Sequence, residues 1–179
     1  IFSFFLYLDS HLRISYLQFK DLNLTLNIYS FSFFFVVFCL IVFINAANMF
    51  DGINLQCSCY FLFLNIYLFL ILKTDIFLLF LIIGLLLFIF LNYYNKSYLG
   101  DSGVYLIAFI TATIIIKMYN NGYLFCDQIL LMMLIPGIDL IRLTFIRIYS
   151  GRHPFKADNL HIHHILRNNF NEKKVFLII

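Results

Sequence analysis

"SFSFFFVVFCLIVFINAANMFDGIN", residues 30–54, joins an apolar run directly to a polar cluster. From Ser30 to Ala47 the chain is nearly all apolar. A run of this kind is close to the roughly 17–25 residues that cross a bilayer core as a helix. Where the run ends, Asn45, Asn48 and Asp51 follow at i, i+3 and i+6, so on a helix their amide and carboxylate groups share one face. Two readings are open for this cluster. Its groups meet a ligand, or they are only the polar end of a helix with Asp51-Gly52 as its turn.

Working outward, similar apolar runs occupy Cys57 to Leu72, Ile76 to Leu91, Gly103 to Met118 and Tyr123 to Leu143, which makes five complete spans. Ile1 to Leu8 and Val175 to Ile179 read as the end of one more span and the start of another. Over the 179 residues, 63% are hydrophobic and 12% charged, against a soluble average of about 25% charged. The expectation is an all-α polytopic membrane protein, one domain over residues 1–179. Because the chain opens on Ile and stops inside an apolar run, it reads as a fragment of a longer protein. The four cysteines, Cys39, Cys57, Cys59 and Cys126, fall in or at the edges of spans, where they act as small apolar residues rather than as a disulfide or zinc framework. No nucleic-acid partner is expected.

Counting the spans alternately places 45–56, 92–102 and 142–174 on one side and the remaining connections on the other. Lys and Arg then divide eight against four. Lys96, Arg142, Arg147, Arg152, Lys156, Arg167, Lys173 and Lys174 face Arg13, Lys20, Lys73 and Lys117. The excess makes the first side cytoplasmic. On the outer side, "LRISYLQFKDLNLTLN", residues 12–27, alternates apolar and polar positions around Lys20-Asp21, which predicts a small β-hairpin, with an irregular loop as the alternative.

Each inner connection carries a polar cluster. "LGDSG", residues 99–103, precedes a span, so Asp101 or Ser102 is either a helix cap or part of a site holding Mg²⁺ against a phosphate. "IPGIDLIRLTFIR", residues 135–147, sets Asp139 and Arg142 at i and i+3, as an intramembrane ion pair or as groups facing a site. "DNLHIHHIL", residues 158–166, concentrates His161, His163 and His164 in a loop that also holds His153, Arg152 and Lys156. Thiolates on this side are limited to span-edge Cys57 and Cys59, so zinc is poorly supported, and phosphate binding suits the imidazoles and cations better. The alternative is a basic loop attracted to anionic lipid headgroups.

Taken together these clusters resemble the polyprenyl-phosphate N-acetylhexosamine-1-phosphate transferases, glycosyl transferase family 4, in its WecA and TagO branch more than in MraY. "NAANMFDG", residues 45–52, looks like the family's Asn-Ala-x-Asn-Met/Leu-x-Asp-Gly motif, and "KSYLGDSG", residues 96–103, resembles its Lys-x-x-Met/Leu-Gly-Asp-Ala/Ser-Gly motif. "HPFKADNLHIHHIL", residues 153–166, is similar to its Ser-Pro-Phe-x-x-Asp-x-x-His-Ile-His-His segment, and Pro136, Asp139 and Arg142 match a Pro-x-x-Asp-x-x-Arg pattern. The resemblance implies transfer of a sugar-1-phosphate from a UDP-N-acetylhexosamine to undecaprenyl phosphate, at the cytoplasmic face of a bacterial inner membrane. It implies Mg²⁺, or Mn²⁺ in its place, on Asp101 and Asp51. Asp101, Asp51, His161, His163 and His164 become catalytic, and Asn45, Asn48, Lys96, Asp139, Arg142 and Arg152 bind substrate. The implied partners are the polyprenyl phosphate, the UDP-sugar, membrane lipids and, in a homodimer, a second copy.

The match departs from the family at two places. Where the family continues Asp-Gly-x-Asp-Gly, this chain has Asn54 for the second acid and Leu55 for the second glycine. The family's adjacent Asp pair on an earlier cytoplasmic loop has no counterpart, since no Asp-Asp occurs and Asp9 falls on the outer side. The expectation is an active full-length gene product and inactive isolated residues 1–179. The competing class is a non-catalytic, transporter-like or lipid-binding membrane protein. Gly84, Pro136, Asn65 and Gln128 are the span-interrupting or polar residues on which that class would rest.

Overall fold

A computed structural model describes residues 12–51 and 55–149. The expected hairpin is present. Strands β1 (Tyr16–Phe19) and β2 (Leu24–Asn27) pair antiparallel, with Tyr16 opposite Asn27 and Phe19 opposite Leu24. Its turn closes through Asn23, whose φ of +49° is a left-handed conformation that a short amide side chain tolerates. Among the described residues a short 3-10 turn (Tyr29–Phe31) and six α-helices follow: α1 (Ser32–Phe50), α2 (Gln56–Leu72), α3 (Ile76–Tyr93), α4 (Gly100–Asn120), α5 (Cys126–Met132) and α6 (Leu134–Tyr149).

Helices α1, α3 and α4 have the length and apolarity of membrane spans, and α2 is apolar over 17 residues. Their burial is what a lipid solvent requires. Helix α3 has the highest mean hydropathy of the three, 2.8, yet only 22% of it is buried inside the protein. In water such a surface would be driven inward, whereas in a bilayer the apolar face is the outside and the backbone is satisfied within the helix. Asp75 starts α3 by accepting the Phe77 and Leu78 amides at 2.9 and 3.1 Å.

The interior lies between α1, α2 and α4. Val36, Leu40 and Phe43 of α1 share one buried cluster with Ala108, Ala112 and Ile116 of α4, where the two alanines suit a close helix approach. Asn65, fully buried in α2, donates to Thr111 of α4 at 3.1 Å and to the Phe61 carbonyl at 2.8 Å. Those bonds give this mid-span asparagine a role in joining helices.

The expected fifth span, Tyr123 to Leu143, is not one straight helix. It divides at Met133 into α5 and α6, which meet at a bend of 65°, and α6 continues beyond Leu143 to Tyr149. Pro136 supplies the physical reason. It has no amide hydrogen for the Met132 carbonyl four residues earlier, and its ring crowds that turn. The Tyr60 hydroxyl on α2 donates to the Met132 carbonyl instead, at 3.0 Å. The partial spans expected at 1–8 and 175–179 lie outside the described residues.

The hairpin closes one end of the helices through polar contacts. Tyr119 at the end of α4 accepts the Gln18 amide at 2.8 Å through its hydroxyl oxygen and donates the hydroxyl proton to the Tyr16 carbonyl at 2.8 Å. Asp127 of α5 accepts the Lys20 and Asp21 amides at 3.0 and 3.2 Å. The polar motifs gather at the other end, where α1 finishes and α4 begins.

Candidate functional site

Helix α1 ends through a tight last turn in which the Asp51 amide donates to the Asn48 carbonyl at 3.3 Å. Asp51 is left half-buried just beyond the helix. Its carboxyl is pushed up to about 6, first by burial and second by the negative charge of Asp101. Asp101, 50 residues on in sequence, is thus close enough in the fold for its charge to oppose ionisation of Asp51.

Asp101 reaches that position through the glycine before it. Gly100 has φ +63°, a conformation that costs an L side chain and costs glycine little, and it turns the chain into α4. Asp101 then lies exposed in the first helical turn, and no side chain caps the helix. The cap reading of Asp101 and Ser102 is thus not realised. A carboxylate in this turn is favoured by the helix dipole while keeping its oxygens available.

The other expected residues take different positions. Asn45 is exposed and ties its Nδ2 back to the Ile41 carbonyl of its own helix at 2.8 Å, whereas Asn48, one turn from Asp51, is half-buried. Asn48 Oδ1 is buried with no hydrogen-bond partner. Lys96 is exposed in the connection between α3 and α4. Asp139, 4% exposed, pairs with Arg142 at 2.9 Å within α6, which packs along α1. The ion-pair reading of Asp139 and Arg142 is realised, and a salt bridge within one helix gives each charge a partner. Arg152, His161, His163 and His164 lie outside the described residues.

Sequence reasoning missed two residues at this end. Gln56, at the first turn of α2, is buried with Oε1 unpartnered. Asn92, at the end of α3, is buried and fully engaged. It accepts the Leu55 amide at 2.7 Å and donates to the Ser97 carbonyl at 2.7 Å. Nothing local in the sequence marks Asn92, because the Leu55 contact spans 37 positions. For Gln56 the signal was its place beside the departing motif "DGINLQ".

This donor set suits a hard divalent cation. Mg²⁺ commonly takes one or two carboxylates, keeps several waters and prefers oxygen donors. Asp51 and Asp101 supply the charge, and the orphaned amide oxygens of Asn48 and Gln56 lack donors of their own. Among the described residues no group of three or more His, Cys, Asp or Glu gathers that could hold a metal ion, so Asp51 and Asp101 are the acids on which such a site would rest.

The chain's similarities agree with its motifs. Residues 1–119 match the family model described as Glycosyl transferase family 4. Among curated proteins, the chain is 31% identical over 87 residues to the undecaprenyl-phosphate alpha-N-acetylglucosaminyl 1-phosphate transferase of Haemophilus influenzae. It is 32% identical to the protein of that name from Pasteurella multocida and 30% identical to that of Escherichia coli K12, over the same length. Each match covers 47% of this chain and 24% of the relative, so the shared stretch spans about a quarter of those proteins. No solved structure matches the chain. With the family model matched over residues 1–119, an apolar helical architecture and two motif acids brought together at one end, the chain belongs to glycosyl transferase family 4.

Proposed function

We propose that the full-length protein transfers a sugar-1-phosphate from a UDP-N-acetylhexosamine to undecaprenyl phosphate, and that the Asp51 and Asp101 end of the helices faces the cytoplasm at a bacterial inner membrane. The observation that carries this reading is the family match over residues 1–119 together with the placement of two motif acids, Asp51 where α1 ends and Asp101 where α4 begins, at one end of an apolar bundle. An oxygen of the lipid phosphate forms a bond to the sugar-proximal phosphorus. The bond from that phosphorus to the bridging oxygen breaks, and UMP departs with the electron pair. The products are a lipid-diphosphate-sugar and UMP.

Phosphoryl transfer asks a protein for positioning and charge neutralisation more than for covalent chemistry. Asp51 and Asp101 would hold Mg²⁺, or Mn²⁺ in its place, with the unpartnered oxygens of Asn48 in the last turn of α1 and Gln56 in the first turn of α2 proposed as further neutral donors. When bound, the ion neutralises charge on the diphosphate oxygens. Lys96 and Asn45, exposed at the same end, are available to the soluble nucleotide. His161, His163, His164 and Arg152 are proposed as phosphate contacts on the strength of their motif. Asp139 and Arg142 are proposed to border the substrate as a preformed pair. The site's place at a span end suits the two substrates, since the lipid's tail remains in the bilayer while the nucleotide arrives from water.

The test is UMP release in membranes holding the full-length gene product. Release should require a UDP-N-acetylhexosamine, lipid phosphate and Mg²⁺ together. Asp101→Asn should lower it by about 100-fold or more, as expected when several kcal/mol of charge stabilisation are lost. Unchanged release in that variant would overturn the metal assignment.

A further inference from the structure

Asp51 stands just after α1 and Asp101 in the first turn of α4, and Asn92 bonds to Leu55 at the start of α2 and to Ser97 in the connection between α3 and α4. Its side chain is 4% exposed, and both of its polar atoms are used. The Leu55 bond meets an unusual backbone. Leu55, the residue before α2, has φ +76°, a left-handed conformation in which a β-carbon is crowded and glycine is not. This is the position where the family resemblance leads one to expect glycine. The amide of a residue at a helix start has no acceptor within its own helix, and Asn92 Oδ1 supplies one. On its other side, Asn92 Nδ2 holds the Ser97 carbonyl, four residues before Asp101.

We propose that Asn92 is a positioning residue, which holds Leu55 in its left-handed conformation and the Ser97 connection beside it, and thereby sets Asp51 and Asp101 at the separation that binds a divalent cation. The identity of the bound ion rests on the transferase reading; the two bonds and the Leu55 conformation do not. Asn92 touches no substrate in this account and acts through the two connections it joins.

Mn²⁺ binding, followed by paramagnetic resonance on the purified full-length protein, tests this without relying on turnover. Asn92→Ala should weaken Mn²⁺ binding by about ten-fold, the lower end of what outer-shell substitutions cost metal sites. Adding Leu55→Gly should restore binding to within about three-fold of the natural protein, because the coupled pair then no longer needs the bond that holds leucine in place. Asn65→Ala, which removes a buried asparagine between α2 and α4, should leave Mn²⁺ binding unchanged and so separates positioning from general loosening. Should Asn92→Ala fail to fold, Asn92→Ser, too short to reach both partners, takes its place with the same expectation.

Natural binding in Asn92→Ala, equal weakening in Asn65→Ala, failure of Leu55→Gly to restore binding, or no Mn²⁺ binding by the natural protein would each overturn the proposal. Natural Mn²⁺ binding, lost and regained across these variants, would uphold it even if no sugar phosphate were transferred. That last result would overturn the transferase reading alone.

Discussion

Asp51 is the residue at which fold and chemistry oppose each other. Its carboxyl holds a proton up to about 6 rather than the ordinary 3.8, through burial and the Asp101 charge. The folded chain therefore binds this proton more tightly than the unfolded chain does. The stability contributed by the neutral form is fully present below pH about 3.8 and is lost as pH rises through about 6. Asp51→Asn, which never ionises, should raise the melting temperature at pH 7.5 and change it little at pH 4. Added Mg²⁺ should stabilise the natural protein at pH 7.5 more than the variant, because the ion binds only the charged form. Thermal melting at the two pH values checks both statements, and an equal shift at pH 4 and 7.5 would contradict them. Residue types and spacing made Asp51 and Asp101 legible as candidates in the sequence. The left-handed Leu55 and the engagement of Asn92 were not legible, because each depends on a partner distant along the chain.

At the scale of elements, the spans were readable wherever local composition alone decides structure. Helices α1, α3 and α4 follow their apolar runs, and the hairpin follows its alternation of apolar and polar residues. Pro136 was read as interrupting the fifth run, but the run's division into two helices bent by 65° was not. A proline can kink a membrane helix or end it, depending on whether the freed carbonyl finds another donor. Here that donor comes from Tyr60 on α2, which no local pattern reveals. Tyr60→Phe should therefore destabilise the protein by about 1 kcal/mol, the cost of losing one half-buried hydrogen bond. Pro136→Ala in the Tyr60→Phe background should recover part of that loss, since an alanine amide offers the Met132 carbonyl the donor it lacks. A double-mutant cycle of melting temperatures reads the coupling; strictly additive effects would show that the proline and tyrosine do not share this carbonyl.

For the whole molecule, polarity is arranged by end rather than by surface and core. Apolar side chains cover the outside of α3 as well as the interior, the hairpin is fastened at one end by Tyr119 and Asp127, and the motif acids Asp51 and Asp101 lie at the other. The proposed reaction, between a membrane-bound phosphate and a soluble nucleotide, would use that layout by holding the carboxylates at the boundary between the two solvents. It also makes one measurement decisive. The full-length protein would be given UDP-N-acetylhexosamine labelled at the sugar-proximal phosphorus, together with undecaprenyl phosphate and Mg²⁺, and the organic phase assayed for label. Transfer of sugar-1-phosphate predicts that the labelled phosphorus enters the lipid fraction in step with UMP release. Label remaining in the aqueous phase while the sugar alone moves to lipid, or no movement of either, would contradict the account.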